Sequence, residues 1–253
     1  MSDHIDGRFD GRDIEESIQK INVAGTLGAR ADFRPELFDT AIFQKGYRIL
    51  WEQSMLCSCY TKNSGQPDYN CPVCKGKGYV YFDPKEIRAV VSSINGHKEQ
   101  THLGLFDLGS AYLTSMSTDD IGFRDRFTFL DFTTKFSEVI IHDENMEGSD
   151  IDTFRYPAKE MVSVRKLDTT YIQGRDYDVS KDGRSITWKT YMNPGDQYSV
   201  LYKTNPVYIA IGPIHELRGT YSVAKAKGLE IFYQFPKQYQ IKREDFLDEQ
   251  QIS

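Results

Sequence analysis

All four cysteines of the 253-residue chain lie between positions 57 and 74: Cys57, Cys59, Cys71 and Cys74. A Cys-x-Cys pair, a span holding Gly65 and Pro67, and a Cys-x-x-Cys pair form a layout that gathers four thiolates round one tetrahedral ion. The chain must reverse between the pairs, which Gly and Pro favour. Gly76 and Gly78 let it leave the second pair through backbone conformations that side chains disfavour. Four thiolates leave excess negative charge on a divalent ion, and Lys62, Lys75 and Lys77 lie close enough in sequence to offset it. Two competing readings are disulfides running between the pairs and a redox Cys-x-x-Cys. A Cys-x-Cys rarely closes on itself, and no βαβ pattern surrounds the second pair. The spacing favours structural Zn2+ on Cys57, Cys59, Cys71 and Cys74, with no coordination position left open for catalytic water. It does not separate zinc from iron.

This block sits in a chain long enough to bury a core, as one large or two small domains. Hydrophobic residues at 39% and charged residues at 27% describe a globular protein, and no apolar run is long enough to span a bilayer. The polar, acidic start Met1–Arg8 lacks the basic-then-apolar form of a secretory signal, so a reducing cytoplasm is expected, where metal is favoured over disulfide. A net charge of −6 argues against general adhesion to nucleic acid. Aromatic residues at 13% suit half-buried strands, protein interfaces or sugar-binding platforms alike.

The expected class is mainly β: a β-barrel or sandwich with N-terminal helices, a zinc-ribbon-like hairpin and a second small β-module. Residues 1–45 read as an arm and two helices. Ile14, Ile18 and Ile21 mark the first, and Pro35 opens the second, with Leu37, Phe38, Ile42 and Phe43 on its apolar side before Gly46 stops it. Residues 46–84 form the hairpin, with strands at 47–55 and 78–84 framing the cysteines. Residues 85–142 carry short strands for a barrel, the first at Ile87–Ile94 before a turn at Asn95-Gly96, and 206–245 is expected to return to it through runs at 207–211 and 229–235. Residues 155–205 read as an inserted β-module with alternating runs at 161–165, 171–179, 185–188 and 197–202, a type I′ turn at Asp182-Gly183 and another turn at Pro194-Gly195. The run 143–152 holds five acids and no base, without the order of a calcium loop, and reads as a solvated join. Residues 246–253 form an acidic tail, expected to be mobile or bound to a partner.

No catalytic set emerges, and a non-enzymatic role is expected. The five histidines (His4, His97, His102, His142, His215) share no metal-ligand spacing, and no nucleophile elbow, phosphate loop or His-Glu-x-x-His occurs. Asp119, Asp120 and Asp125 are close in sequence, but loop acids of this kind are mostly turn formers.

The block from Gly46 to Arg126 resembles the neck, or head–tail connector, proteins of tailed bacteriophages. The residues that carry the likeness are Gly46-Tyr-Arg-Ile-Leu-Trp-Glu52, Cys57-Ser-Cys59, the run Gly65-Gln-Pro-Asp-Tyr-Asn-Cys-Pro-Val-Cys-Lys-Gly-Lys-Gly-Tyr-Val-Tyr81, and Gly104–Thr114 followed by Asp125-Arg126. The resemblance covers about a third of the chain. It implies a virion protein assembled in the host cytoplasm, a homo-oligomeric ring between portal or adaptor and tail proteins. Such a ring lines or closes the channel through which genomic DNA passes without sequence-specific binding, and it makes no membrane contact. The segment Cys71–Gly78 is also similar to one Cys-x-x-Cys-x-Gly-x-Gly unit of the DnaJ-type chaperone zinc domain, but its partner here is Cys-x-Cys and no J-domain signature occurs. The competing roles are a phage tail or baseplate protein, with a sugar site in the Tyr-rich module at Trp188, and a cytosolic zinc-ribbon adaptor.

Overall fold

The computed structural model describes residues 35–60, 65–93, 109–142, 150–215, 219–224 and 229–248. The expected first helix at 10–23, the turn at Asn95-Gly96, His4, His97, His102, Lys62 and most of the acidic run lie outside these residues. The described chain is mainly β, in several antiparallel sheets.

Helix α1 (Pro35–Lys45) starts on the expected proline. Gly46 donates its N–H to the Ile42 carbonyl at 2.7 Å, and a Cβ there would lie 2.5 Å from that oxygen, so the stop requires glycine. The helix docks through Ile42, which is buried. Phe38 is partly exposed and Phe43 is 63% exposed, so the apolar side is narrower than its sequence suggests. Asp39 adds a polar tie, accepting bonds from the backbone N–H and hydroxyl of Ser117.

Strands β1 (Tyr47–Leu56), β2 (Tyr79–Ser93), β3 (Ser110–Ser115), β4 (Arg126–Phe129), β12 (Val207–His215) and β15 (Gln238–Arg243) close into a barrel in the order β1-β2-β3-β15-β12-β4. Every neighbouring pair is antiparallel. Period-2 alternation sends Ile49, Trp51, Ile87, Ala89, Leu113, Phe127, Phe129, Tyr239 and Ile241 inward as one core. Burying an aliphatic or aromatic side chain of this kind stabilises by about 1.5–3 kcal/mol.

The sequence reading ends a strand at Pro84 and starts another at Ile87; the structure has one strand through both. Trp51 pairs with Lys85 and Gln53 with Phe82, so Asp83 and Pro84 together oppose Glu52 in a β-bulge, with Asp83 at φ +51°. A bulge is where a sheet tolerates a proline without losing a ladder bond. Strands β1 and β2 therefore serve hairpin and barrel at once, and a division at 84/85 would cut through a continuous strand.

Between β4 and β12, which pair with each other, the chain leaves the barrel and builds a second unit. One sheet has the order β5-β11-β7-β8, from β5 (Thr134–Ile141), β7 (Glu160–Lys166), β8 (Thr169–Tyr171) and β11 (Gln197–Thr204). The other is β6-β10-β9, from β6 (Ile151–Thr153), β9 (Tyr177–Val179) and β10 (Ser185–Trp188). They share a core of Phe154, Tyr156, Val164, Tyr177, Ile186, Trp188, Tyr198, Val200 and Tyr202. The module thus includes 134–141, whose strand pairs along its whole length with β11. The run 171–179 is split by a turn at Gly174 (φ +86°), which carries the chain from one sheet to the other.

At Asp182-Gly183 the hairpin is present but not the two-residue turn. Only Gly183 has positive φ (+70°), and the reversal spans 180–184, with Gly183 N–H donating to the Ser180 carbonyl at 2.9 Å. A type I′ turn needs positive φ at both central residues. The side chain of Ser180 drives the longer loop, donating to Asp182 and accepting from the N–H of Arg184.

The expected return of 229–235 to the barrel is not seen. Strand β14 (Leu229–Gln234) pairs with β13 (Gly219–Ala224) in a separate ribbon, and β15 takes the barrel position. The acidic end begins as helix α2 (Glu244–Asp248). Phe246 sits so close to Gly109 that a Cβ there would lie 2.1 Å from its ring. No helix among the described residues is long and apolar enough to cross a membrane.

Candidate metal centre

The last rung of the β1–β2 ladder pairs Leu56 with Tyr79, and the Cys57 N–H continues it by donating to the Gly78 carbonyl at 2.8 Å. The hairpin thus delivers Cys57 at a fixed position, and two tight turns bring in the other sulfurs. In the first, Tyr60 N–H donates to the Cys57 carbonyl at 3.1 Å. In the second, Lys75 N–H donates to the Cys71 carbonyl at 2.8 Å and Lys77 N–H to the Cys74 carbonyl at 3.0 Å. Left-handed backbone at Lys75, Gly76 and Gly78 (φ +51°, +79° and +78°) returns the chain to β2. At Gly78 the reason is contact as well as conformation, because a Cβ would lie 2.7 Å from the Tyr60 ring.

The four sulfurs lie within 4.8 Å of one another, with Cys57 and Cys71 at 3.8 Å and Cys59 and Cys74 at 3.5 Å. A tetrahedral ion with metal–sulfur bonds of about 2.3 Å sets its sulfurs about 3.8 Å apart. A disulfide needs about 2.05 Å, and all four cysteines are free. The set could therefore hold a metal ion. Cys57, Cys71 and Cys74 are buried, Cys59 is half-buried, and Val80 packs against the group. N–H groups of Cys74 and Val73 aimed at its sulfur hold the Cys71 thiol down to about 7, whereas burial pushes Cys59 up to about 12. A cation at the centre allows both to be thiolates at neutral pH, and acid releases it because protons compete for the same sulfurs.

The lysines do less for the sulfurs than their spacing suggests. Lys77 turns away and makes a 2.6 Å ion pair with Glu244, at the start of α2 and 4% exposed. This link, 167 residues apart in sequence, ties the tip to the C-terminal helix. Next to it, Arg126 makes a two-pronged pair with Glu52 at 2.7 and 2.8 Å and stacks over the Tyr81 ring at 4.1 Å. Burial raises the Tyr81 phenol well above its ordinary value, and the Glu244 charge adds to it. Tyr79 and Tyr81 share one face of the hairpin by strand alternation. Nothing in the sequence pairs that face with Glu244 or Glu52.

Lys77→Met should lower stability to urea by about 1–2 kcal/mol, since it leaves Glu244 buried without its cation while the lysine itself is partly exposed. Adding Glu244→Gln should recover part of the loss, and a double mutant no better than the single would contradict the link.

The loop acids are structural acceptors. Asp125 is buried and takes bonds from the Trp51 indole (2.7 Å), Ser54 N–H (2.8 Å) and Gly122 N–H (2.8 Å). Asp119 lies 3.6 Å from Lys85 and burial raises its carboxyl, while Asp120 pairs at the surface with Lys237. No two of them form an acid–base set. His142 is fully buried, with Nδ1 3.0 Å from Asp152, which also accepts from the Trp188 indole (3.0 Å) and the Tyr198 hydroxyl (2.7 Å). Trp188 is therefore core, and a sugar platform on its face is not available. A scan against protein-family models finds no match, and a search among curated proteins finds none.

Proposed function

We propose that this chain is a structural protein of the neck of a tailed bacteriophage. It is the subunit of a homo-oligomeric ring that joins portal to tail and lines or closes the DNA channel. Zinc on Cys57, Cys59, Cys71 and Cys74 acts as a staple, not a catalyst. The carrying observation is the place of the four sulfurs: at the end of the hairpin that opens the barrel, inside the block that resembles neck proteins. A site built from four thiolates keeps no open position for substrate. It stiffens a loop in which, among the described residues, the buried side chains are Cys57, Cys71 and Cys74, themselves ligands.

The charge suits the role. A net charge of −6 per subunit, repeated round a ring, repels phosphate at long range and lets DNA slide without sticking. Ring interfaces draw on aromatic-rich surface, which this chain has in quantity.

Electron microscopy of the purified protein should show closed rings, and particles assembled without it should carry no attached tail. A protein that stays monomeric and is absent from purified particles would contradict the reading.

A further inference from the structure

Three cations crowd the outer wall of the barrel beside the metal tip, and two of them have carboxylates: Lys77 has Glu244 and Arg126 has Glu52. Arg124 has none. Among the described residues its side chain makes no ion pair or hydrogen bond, and its Nε is buried without a partner. Its guanidinium lies over two rings, 5.5 Å from the centroid of Tyr79 and 5.4 Å from that of Phe123. A half-buried guanidinium over aromatic rings and without a carboxylate of its own is pre-set for a planar oxyanion.

The backbone is committed to this placement. Arg124 sits at φ +69°, a left-handed conformation that costs a bulky residue energy. It is fixed on both sides: its own N–H donates to the Ala210 carbonyl at 2.9 Å, and the Ser54 hydroxyl to the Phe123 carbonyl at 2.8 Å. The neighbouring Asp125 is locked by its three bonds. Beside the guanidinium two large apolar side chains are exposed, Phe123 at 57% and Leu56 at 58%, and Leu56 is the cross-strand partner of Tyr79. An arginine stacked on aromatics inside an apolar rim has the composition of an interface hot spot.

We infer that this patch is a subunit interface in which Arg124, stacked on Tyr79 and Phe123, receives a carboxylate from a second copy of the chain. The inference rests on the ring reading and names the surface that reading needs. Charge selects the occupant. Lys77, Arg124 and Arg126 against Glu52 and Glu244 leave one positive charge, which one carboxylate neutralises. A chain with 37 acidic residues against 31 basic ones supplies carboxylates freely and repels a polyphosphate. The patch adjoins Cys57 and Gly78, so the metal clamp holds the strand ends that present it.

The test is self-association of the full chain, with metal content checked, by native mass spectrometry and sedimentation. Arg124→Gln should weaken assembly about thirtyfold or more, and Arg124→Lys should restore little because a lysine lacks the fork. Arg124→Gly is the control for folding: glycine accepts φ +69° without strain, so its unfolding midpoint should hold or rise while assembly fails. If the natural chain forms rings and all three variants assemble at the same concentrations, the inference is overturned and the ring reading stands. If the natural chain is monomeric throughout, both fall. Variants that assemble normally but lose retention of duplex DNA at low salt would give the fork to phosphate and overturn the proposal.

Discussion

Cys71→Ser is expected to abolish metal binding and to unfold the segment from Cys57 to Gly78. Structural zinc contributes on the order of 10 kcal/mol of binding free energy in small domains. Here the barrel has its own core, so the tip can open locally and the global loss is smaller, about 3 kcal/mol or more. The damage should spread along β1 and β2, because the last rungs of that ladder, Met55 with Val80 and Leu56 with Tyr79, lead straight into the cysteine turns. Chelation should reproduce the effect in the natural chain and leave the serine variant unchanged. Acidification should act in the same direction as chelation, and thermal unfolding with and without chelator reads all three. A serine variant with full metal content and an unshifted midpoint would contradict the assignment.

The second large effect is expected inside the barrel. Asp125→Ala should cost about 3–5 kcal/mol in urea unfolding, since it strands the Trp51 indole, the Ser54 N–H and the Gly122 N–H together. Asp125→Asn keeps one acceptor oxygen but turns a donor toward N–H groups, so it should recover only part of that loss. Because Ser54 and Gly122 flank the Arg124 loop, both variants should also weaken assembly. A loss below about 1 kcal/mol for the alanine would mean that water replaces the carboxylate.

The second module solves the same problem in the same way. Each core contains a tryptophan whose N–H needs an acceptor, and each buries an aspartate to supply it: Asp125 for Trp51 and Asp152 for Trp188. Neither pairing is legible in the sequence, where Asp125 reads as a turn former and Asp152 as the end of a solvated acidic run. Burial of an acid is decided by donors that arrive from distant strands, and spacing along the chain carries no record of them. The same holds for Lys77 and Glu244, joined only once β15 has closed the barrel between β3 and β12 and led into α2.

What the sequence does disclose is local. Cysteine spacing, turn glycines and strand alternation over 47–55 are enough to place four sulfurs at one hairpin tip, because every constraint there lies within about thirty residues. The start of α1 at Pro35 and its stop at Gly46 are legible for the same reason. The misreadings share a cause as well. Pro84 interrupts a strand only in a flat sheet, and the bulge opposite Glu52 absorbs it. The run 171–179 alternates well enough for one strand, but the two halves pair in different sheets. Closure of the barrel by β12 and β15 depends on pairings far apart in the chain, which alternation alone does not rank.

Native mass spectrometry of the purified chain, paired with elemental analysis, tests the central idea most directly: that four thiolates on one ion stiffen the strand ends of a ring subunit. The expected spectrum is a closed oligomer with one zinc per chain, breaking into metal-free, locally unfolded subunits when acidified or chelated. A folded protein that binds no ion, or whose assembly is indifferent to removing it, would contradict the account.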